Sequence, residues 1–115
     1  MTVAPNNMVY SLNQPNIDQT RPTWSLDPSG GTIPTFTISY QITSDKSGTV
    51  APNWLYIDGS SGTDKITIDG TDPAITTQYM QYFLQGCVDG ETPARCEYEP
   101  FMVLIFDLIV SSPAS

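Results

Sequence analysis

The feature that most constrains this chain is a central run in which short apolar segments alternate with tight turns. Residues 52–58 contain a tryptophan, a leucine, a tyrosine and an isoleucine, and residues 59–62 supply the glycines and serines of a turn. Residues 66–68 then alternate isoleucine with threonine, which is the period of a half-buried strand. Glycine and proline end that strand at 70–73. The run predicts strand, turn, strand and turn, and it argues for a fold more strongly than for a reaction.

A second clear signal lies at residues 35–42, where apolar and polar residues alternate without a break. Its apolar residues share one face and are Phe36, Ile38, Tyr40 and Ile42. One buried face and one wet face is the pattern of an antiparallel sheet. Further strands are predicted at 8–12, 17–20 and 101–110. Residues 76–85 fit either a short helix or a strand, and their β-rich flanks favour the strand.

Turn signals that recur about every ten residues predict an all-β antiparallel sandwich of about six or seven strands. With 115 residues, the chain has room for a single domain. We expect a leader with the first short strand at 1–14, the sandwich at 15–110, and a linker or tail at 111–115. The predicted core consists of Phe36, Ile38, Tyr40, Leu55, Ile57, Ile66, Ile68, Phe106 and Leu108.

The composition is polar but poor in charge, which suits an extracellular β-domain. Charged residues make up 14% of the chain, and 12 acidic against 4 basic residues give a formal net charge of −8. That balance argues against nucleic acid or an anionic membrane as a partner. The negative charge is compatible with binding a cation or a basic protein, or with solubility alone, and solubility is the simplest explanation. The longest apolar run has about half the length of a membrane span, so direct membrane insertion is not expected.

Five segments carry a resemblance to a known family: residues 17–20, the 36–42 strand, the Trp54–Leu55 pair, the Ile66–Pro73 segment with its Gly-Thr-x-Pro ending, and the closing Phe106–Val110 strand. In this order they resemble the cadherin-like repeats of the dystroglycan type, which are close to the immunoglobulin-like repeats of large surface proteins. The resemblance implies a Greek-key sandwich of about seven strands. It also implies tandem use for adhesion, spacing or scaffolding at the cell surface, with neighbouring copies or domains of the same assembly as partners.

The absence of histidine from the sequence removes Ser-His-Asp and Cys-His catalysis and the usual zinc sites. Cys87 and Cys96 flank a polar, hairpin-like loop, and we expect a disulfide between them that stabilises the fold by about 2–3 kcal/mol. The alternative is a pair of reduced thiols in a cytosolic chain. Because the first residues lack the basic and apolar regions of a signal peptide, we expect either a cytosolic protein or a piece of a longer exported one, and we favour the second.

Aspartates cluster around the central turns, at positions 58, 64, 69 and 72. Paired carboxylates can hydrolyse glycosides, but isolated turn aspartates more often form or cap turns, so we do not expect an enzyme. The same residue type can hold Ca²⁺ through its oxygens. No cofactor is expected. If calcium binds, the candidate ligands are Asp27, Asp58 and Asp89.

Flat aromatic rings could instead stack on sugar faces. The candidates for such a platform are Trp24, Tyr56 and Tyr98, with Tyr10 as a fourth. The leading hypothesis remains a non-catalytic structural or adhesive module of a larger extracellular or surface protein, and a carbohydrate-binding module is the alternative. An exposed line of aromatics beside carboxamides would favour the alternative.

The last predicted strand, 101–110, is apolar on both faces. Asp107 falls on the odd-numbered face, which predicts that the even-numbered residues Met102, Leu104, Phe106, Leu108 and Val110 form the core face. Phe101, Val103 and Ile105 then lie on the opposite face, where a strand exposed to water should be polar. Such a face is either covered by the domain's own loop at 87–100 or offered to a partner. Since an exposed apolar surface usually marks an interface, we favour a contact of these three residues with a neighbouring copy or domain.

Overall fold

In a computed structural model that describes residues 2–25, 37–59, 62–91 and 93–108, the chain forms seven strands and no helix. The strands are β1 (Met8–Ser11), β2 (Ile17–Thr20), β3 (Ile38–Thr43), β4 (Leu55–Asp58), β5 (Lys65–Ile68), β6 (Gln78–Val88) and β7 (Cys96–Phe106). The all-β prediction is confirmed. The ambiguous stretch at 76–85 is a strand, as its flanks indicated.

The strands form two sheets, a four-stranded sheet in the order β1-β7-β6-β3 and a three-stranded sheet in the order β2-β5-β4. Four of the five pairings are antiparallel, but β1 runs parallel to β7. The expectation of a purely antiparallel arrangement is therefore wrong at this edge. After β1 the chain crosses to the three-stranded sheet, so no hairpin fixes the direction in which β1 meets its neighbour.

One hydrophobic cluster joins the two sheets. Its buried members are Met8, Tyr10, Trp24, Ile42, Ala51, Trp54, Leu55, Ile66, Ile68, Tyr82, Leu84, Phe101, Val103 and Ile105. Ile38, Tyr40 and Ile57 are partly buried and pack against it. Six predicted core residues thus lie in or against the core, while Phe36 lies outside the described residues.

The predicted orientation of the last strand is wrong. Phe101, Val103 and Ile105 are buried, with Val103 at 0% exposure, whereas Leu104 and Phe106 are half-exposed and Leu108 is 70% exposed. The error has a simple cause. β7 ends at Phe106, so Asp107 lies beyond the strand and its position does not report which face of β7 is wet.

The scaffold of the larger sheet is a long hairpin made by β6 and β7, each of 11 residues. Their register runs from Gln78 opposite Ile105 at one end to Cys87 opposite Cys96 at the other. β3 pairs along one side of this hairpin and β1 along part of the other. The two central strands therefore carry a broad surface on the side away from the core.

Candidate interaction surface

The outer face is the side of the four-stranded sheet that points away from the core. Strand alternation assigns its members, which are Val9 and Ser11 of β1, Ser39, Gln41 and Thr43 of β3, Tyr79, Gln81, Phe83, Gln85 and Cys87 of β6, and Cys96, Tyr98, Pro100, Met102, Leu104 and Phe106 of β7. None of these strand positions holds Asp, Glu, Lys or Arg. In a chain with a net charge of −8, charge reaches this face only from beyond its strands, as with Lys46 over Phe83 and Asp89 beside Ser39.

The loop of residues 44–51 covers one half of the outer face. Beneath it, Phe83 and Gln85 are buried, and the Lys46 ammonium lies 5.8 Å from the centroid of the Phe83 ring. Gln41 Nε2 donates to Gln85 Oε1 at 2.5 Å, and Gln85 Nε2 donates to Tyr98 Oη at 2.8 Å. The two carboxamides and the tyrosine hydroxyl thus satisfy one another's hydrogen bonding. The domain's own contacts cover this half of the outer face.

The other half of the outer face is open and apolar. Val9 lies opposite Leu104 on one side, and Tyr79 lies opposite Leu104 on the other, so the three form one row across three strands. Val9 is 57% exposed and Tyr79 is 68% exposed. With the half-exposed Met102 and Phe106 on β7, this row makes a contiguous surface that we call the apolar patch.

A disulfide joins Cys87 to Cys96, as predicted, with the two Cα atoms 4.1 Å apart. The cysteines are direct partners in the β6–β7 register. Backbone hydrogen bonding continues past them, since Val88 N donates to Arg95 O at 2.9 Å. The disulfide therefore ties the hairpin together at the end that lies away from the apolar patch.

The central aspartates act as turn formers. Asp69 Oδ1 accepts hydrogen bonds from Thr71 Oγ1 at 2.6 Å and Thr71 N at 3.0 Å, and these bonds lower the pKa of Asp69 below its ordinary value. Asp72 Oδ1 accepts from Ala74 N at 2.9 Å. The turn-former interpretation is confirmed for these two residues.

The calcium candidates are placed as follows. Asp89 accepts hydrogen bonds from Ser39 Oγ at 2.6 Å and Thr37 Oγ1 at 2.5 Å, and these donors lower its pKa. Asp58 ends β4 of the other sheet, opposite Lys65, and Asp27 lies outside the described residues. Within the described ranges, no three Asp, Glu, His or Cys residues come together as a metal-holding group.

The aromatic residues proposed for sugar binding do not share a surface. Trp24 and Tyr10 are buried in the core, and the Trp24 indole Nε1 donates to Val3 O at 2.8 Å. Tyr56 alternates with the core residues Leu55 and Ile57, so it lies on the outer side of the three-stranded sheet. Tyr98 lies on the outer face of the other sheet. Trp24, Tyr56 and Tyr98 therefore do not form one platform, because Trp24 serves the core, as large aromatic rings often do, and the two tyrosines lie on different sheets.

The predicted contact residues Phe101, Val103 and Ile105 are core residues, so they cannot serve as an exposed contact. The exposed apolar surface of β7 is the opposite one. Val9 and Tyr79, which complete it, were missed because each is an apolar residue in a strand and resembles a core residue. The signal that identifies them is the register of β1 and β6 against β7, which a single sequence does not display.

Comparisons with protein-family models, curated proteins and solved structures found no match to this chain. In the described part of the chain, no helix is long and apolar enough to cross a membrane.

Proposed function

We propose that this chain is a non-catalytic β-sandwich module that makes protein–protein contacts within a larger extracellular or surface protein. The proposal includes a Greek-key arrangement of the cadherin-like, immunoglobulin-like kind. Two sheets around one core support that arrangement, as does the resemblance of the central segments to cadherin-like repeats. The Cys87–Cys96 disulfide supports an oxidising, extracellular location, because such bonds persist there.

The observation that carries the proposal is the apolar patch, on a sheet face whose strand positions hold no charged residue. A sheet face in water is ordinarily polar, since exposed apolar surface is unfavourable to hydrate. Protein interfaces have the opposite character at their centres, where charged residues are depleted and Tyr, Phe and Met are enriched. The patch contains one residue of each of these three types, Tyr79, Met102 and Phe106, beside two aliphatic residues.

The acidic residues support a structural role. Asp45, Asp69 and Asp89 have pKa values below the ordinary range, because each accepts hydrogen bonds from nearby hydroxyl or backbone groups. A general acid at neutral pH needs the opposite shift, toward a raised pKa. These carboxylates hold loops, and the proposal assigns no residue to catalysis.

Photo-crosslinking from the patch tests this function. Benzoyl-phenylalanine, a photoreactive amino acid, is incorporated at position 79 in place of tyrosine when the protein is expressed in cells. After illumination, mass spectrometry identifies any crosslinked peptide. Tyr56 is the matched control, because it is an exposed tyrosine on the outer side of the other sheet. We expect position 79 to crosslink to a protein peptide and position 56 to remain without one. A protein adduct at neither position, or the same adduct at both, contradicts the proposal.

A further inference from the structure

We propose that the partner of the apolar patch is a second copy of this chain, packed face to face about a two-fold axis that runs along β7. This inference rests on the proposed function, and it names the partner. Two observations carry it. The first is the distribution of charge, and the second is the arrangement of large and small side chains in the central row, which consists of Val9, Leu104 and Tyr79.

Charge limits the surfaces through which two copies can meet. Each chain carries 12 acidic and 4 basic residues, so two copies repel each other through most orientations. A contact through the outer face brings no charged strand residue of one copy against one of the other. A basic partner, by contrast, gains no electrostatic complementarity from the apolar patch, which contains no acidic residue. The uncharged patch therefore fits a partner whose own contact surface is uncharged, and the same patch on a second copy supplies that surface.

The side chains of the central row are complementary under this symmetry. Leu104 occupies the middle of the row, with the large Tyr79 on one side and the smaller Val9 on the other. A two-fold axis along β7 places Leu104 against its counterpart and each Tyr79 against Val9 of the other copy. Large side chains then meet small ones, which is how packed layers interdigitate. An axis at right angles to the strands would oppose the two Tyr79 rings instead.

Cysteine pairing tests the partner and the axis together. Val9→Cys and Tyr79→Cys are prepared as separate variants of the full chain, mixed, and oxidised gently. We expect the mixture to form a disulfide between position 9 of one copy and position 79 of the other. Each variant alone should form far less dimer, because like positions lie about two strand spacings apart across β7. Tyr56→Cys on the other sheet is the control, and peptide mapping verifies that Cys87–Cys96 stays intact.

Analytical ultracentrifugation measures the association without crosslinks. We expect the unmodified chain to dimerise as its concentration rises, and Leu104→Lys to weaken the dimer by at least about tenfold. Tyr56→Lys should leave it unchanged, and thermal melting verifies that both variants fold. A monomer at every concentration overturns this inference, and so does crosslinking through Tyr79→Cys alone. If the chain is monomeric and position 79 still photo-crosslinks to another protein, the proposed function stands and only the partner is wrong. If it crosslinks to no protein, both fail.

Discussion

The indole of Trp24 lies directly on the backbone of Gly86. A Cβ atom built on Gly86 would fall 2.5 Å from the Cζ3 atom of Trp24, closer than real Cβ contacts come. The ring is further held by an edge-on contact with Tyr40, at 5.6 Å between centroids, and Trp24 N donates to Tyr40 Oη at 2.8 Å. Glycine in β6 therefore allows the segment after β2 to pack its tryptophan into the core.

Gly86→Ala is accordingly expected to destabilise the fold by about 1–3 kcal/mol, since the added methyl group must displace a buried ring. Urea unfolding measures the change. Gly59→Ala is the control, because the added Cβ there meets only a carboxylate oxygen of Asp64 at 3.0 Å, and that side chain is partly exposed rather than packed in the core. In a Trp24→Ala background the Gly86→Ala cost should largely disappear. An equal cost in both backgrounds would contradict the contact.

The disulfide gives a second prediction. Cys87 and Cys96 close a loop with a sequence separation of 9 residues. Replacing both by serine is expected to lower the free energy of unfolding by about 2–3 kcal/mol, mainly because the unfolded chain gains freedom. Urea unfolding of the variant against the oxidised parent measures this. Reduced parent protein should match the variant, and a variant as stable as the oxidised parent would show that the bond contributes no stability.

The third prediction concerns acid. The hydroxyls of Ser39 and Thr37 lower the pKa of Asp89 below 3.8, its ordinary value, and so favour the charged carboxylate in the folded state. A group with a lowered folded pKa contributes stability above its unfolded pKa, and that contribution is lost as the pH falls through the folded value. We expect urea unfolding to show stability declining below about pH 4. The decline should be shallower in Asp89→Asn and in Ser39→Ala. If the free energy of unfolding falls equally steeply with pH in the parent and the variants, Asp89 is not the cause of the decline.

The positions of the strands could be predicted from the sequence better than the way in which the strands pair. Ile66 and Ile68 alternate with a threonine and turn residues flank them, so local chemistry alone placed β5 and its inward face. Cys87 and Cys96 were paired because the chain between them is short. The direction of β1 against β7 could not be predicted in the same way. That pairing joins the two ends of the chain, and no turn between them restricts its geometry.

The face of β7 illustrates a second limit. Both faces of this strand are apolar, so the periodicity that usually identifies the wet side is absent. The predicted orientation of β7 therefore depended on Asp107 alone, and Asp107 lies outside the strand. Only the register with β1 and β6 resolves the question, because it aligns Val103 with the buried Met8 of β1 and aligns Leu104 with the exposed Val9 and Tyr79.

The last prediction tests this orientation with one substitution at two valines. Val103 is fully buried on the core side of β7, whereas Val9 is 57% exposed on the outer face. Threonine has nearly the shape of valine, so the change replaces a methyl group by a hydroxyl. At position 103 that hydroxyl is buried among apolar side chains, and Val103→Thr should cost about 1–3 kcal/mol. At position 9 water can solvate it, and Val9→Thr should change stability by less than about 0.5 kcal/mol.

Urea unfolding at low protein concentration measures both variants as monomers, so that any effect of Val9 on association does not enter. Circular dichroism in the far ultraviolet verifies that each variant keeps its strands. A larger loss at position 9 than at position 103 would restore the opposite orientation of β7 and place Phe101, Val103 and Ile105 on the exposed side. It would also remove the apolar patch, because Leu104 and Phe106 would then belong to the core.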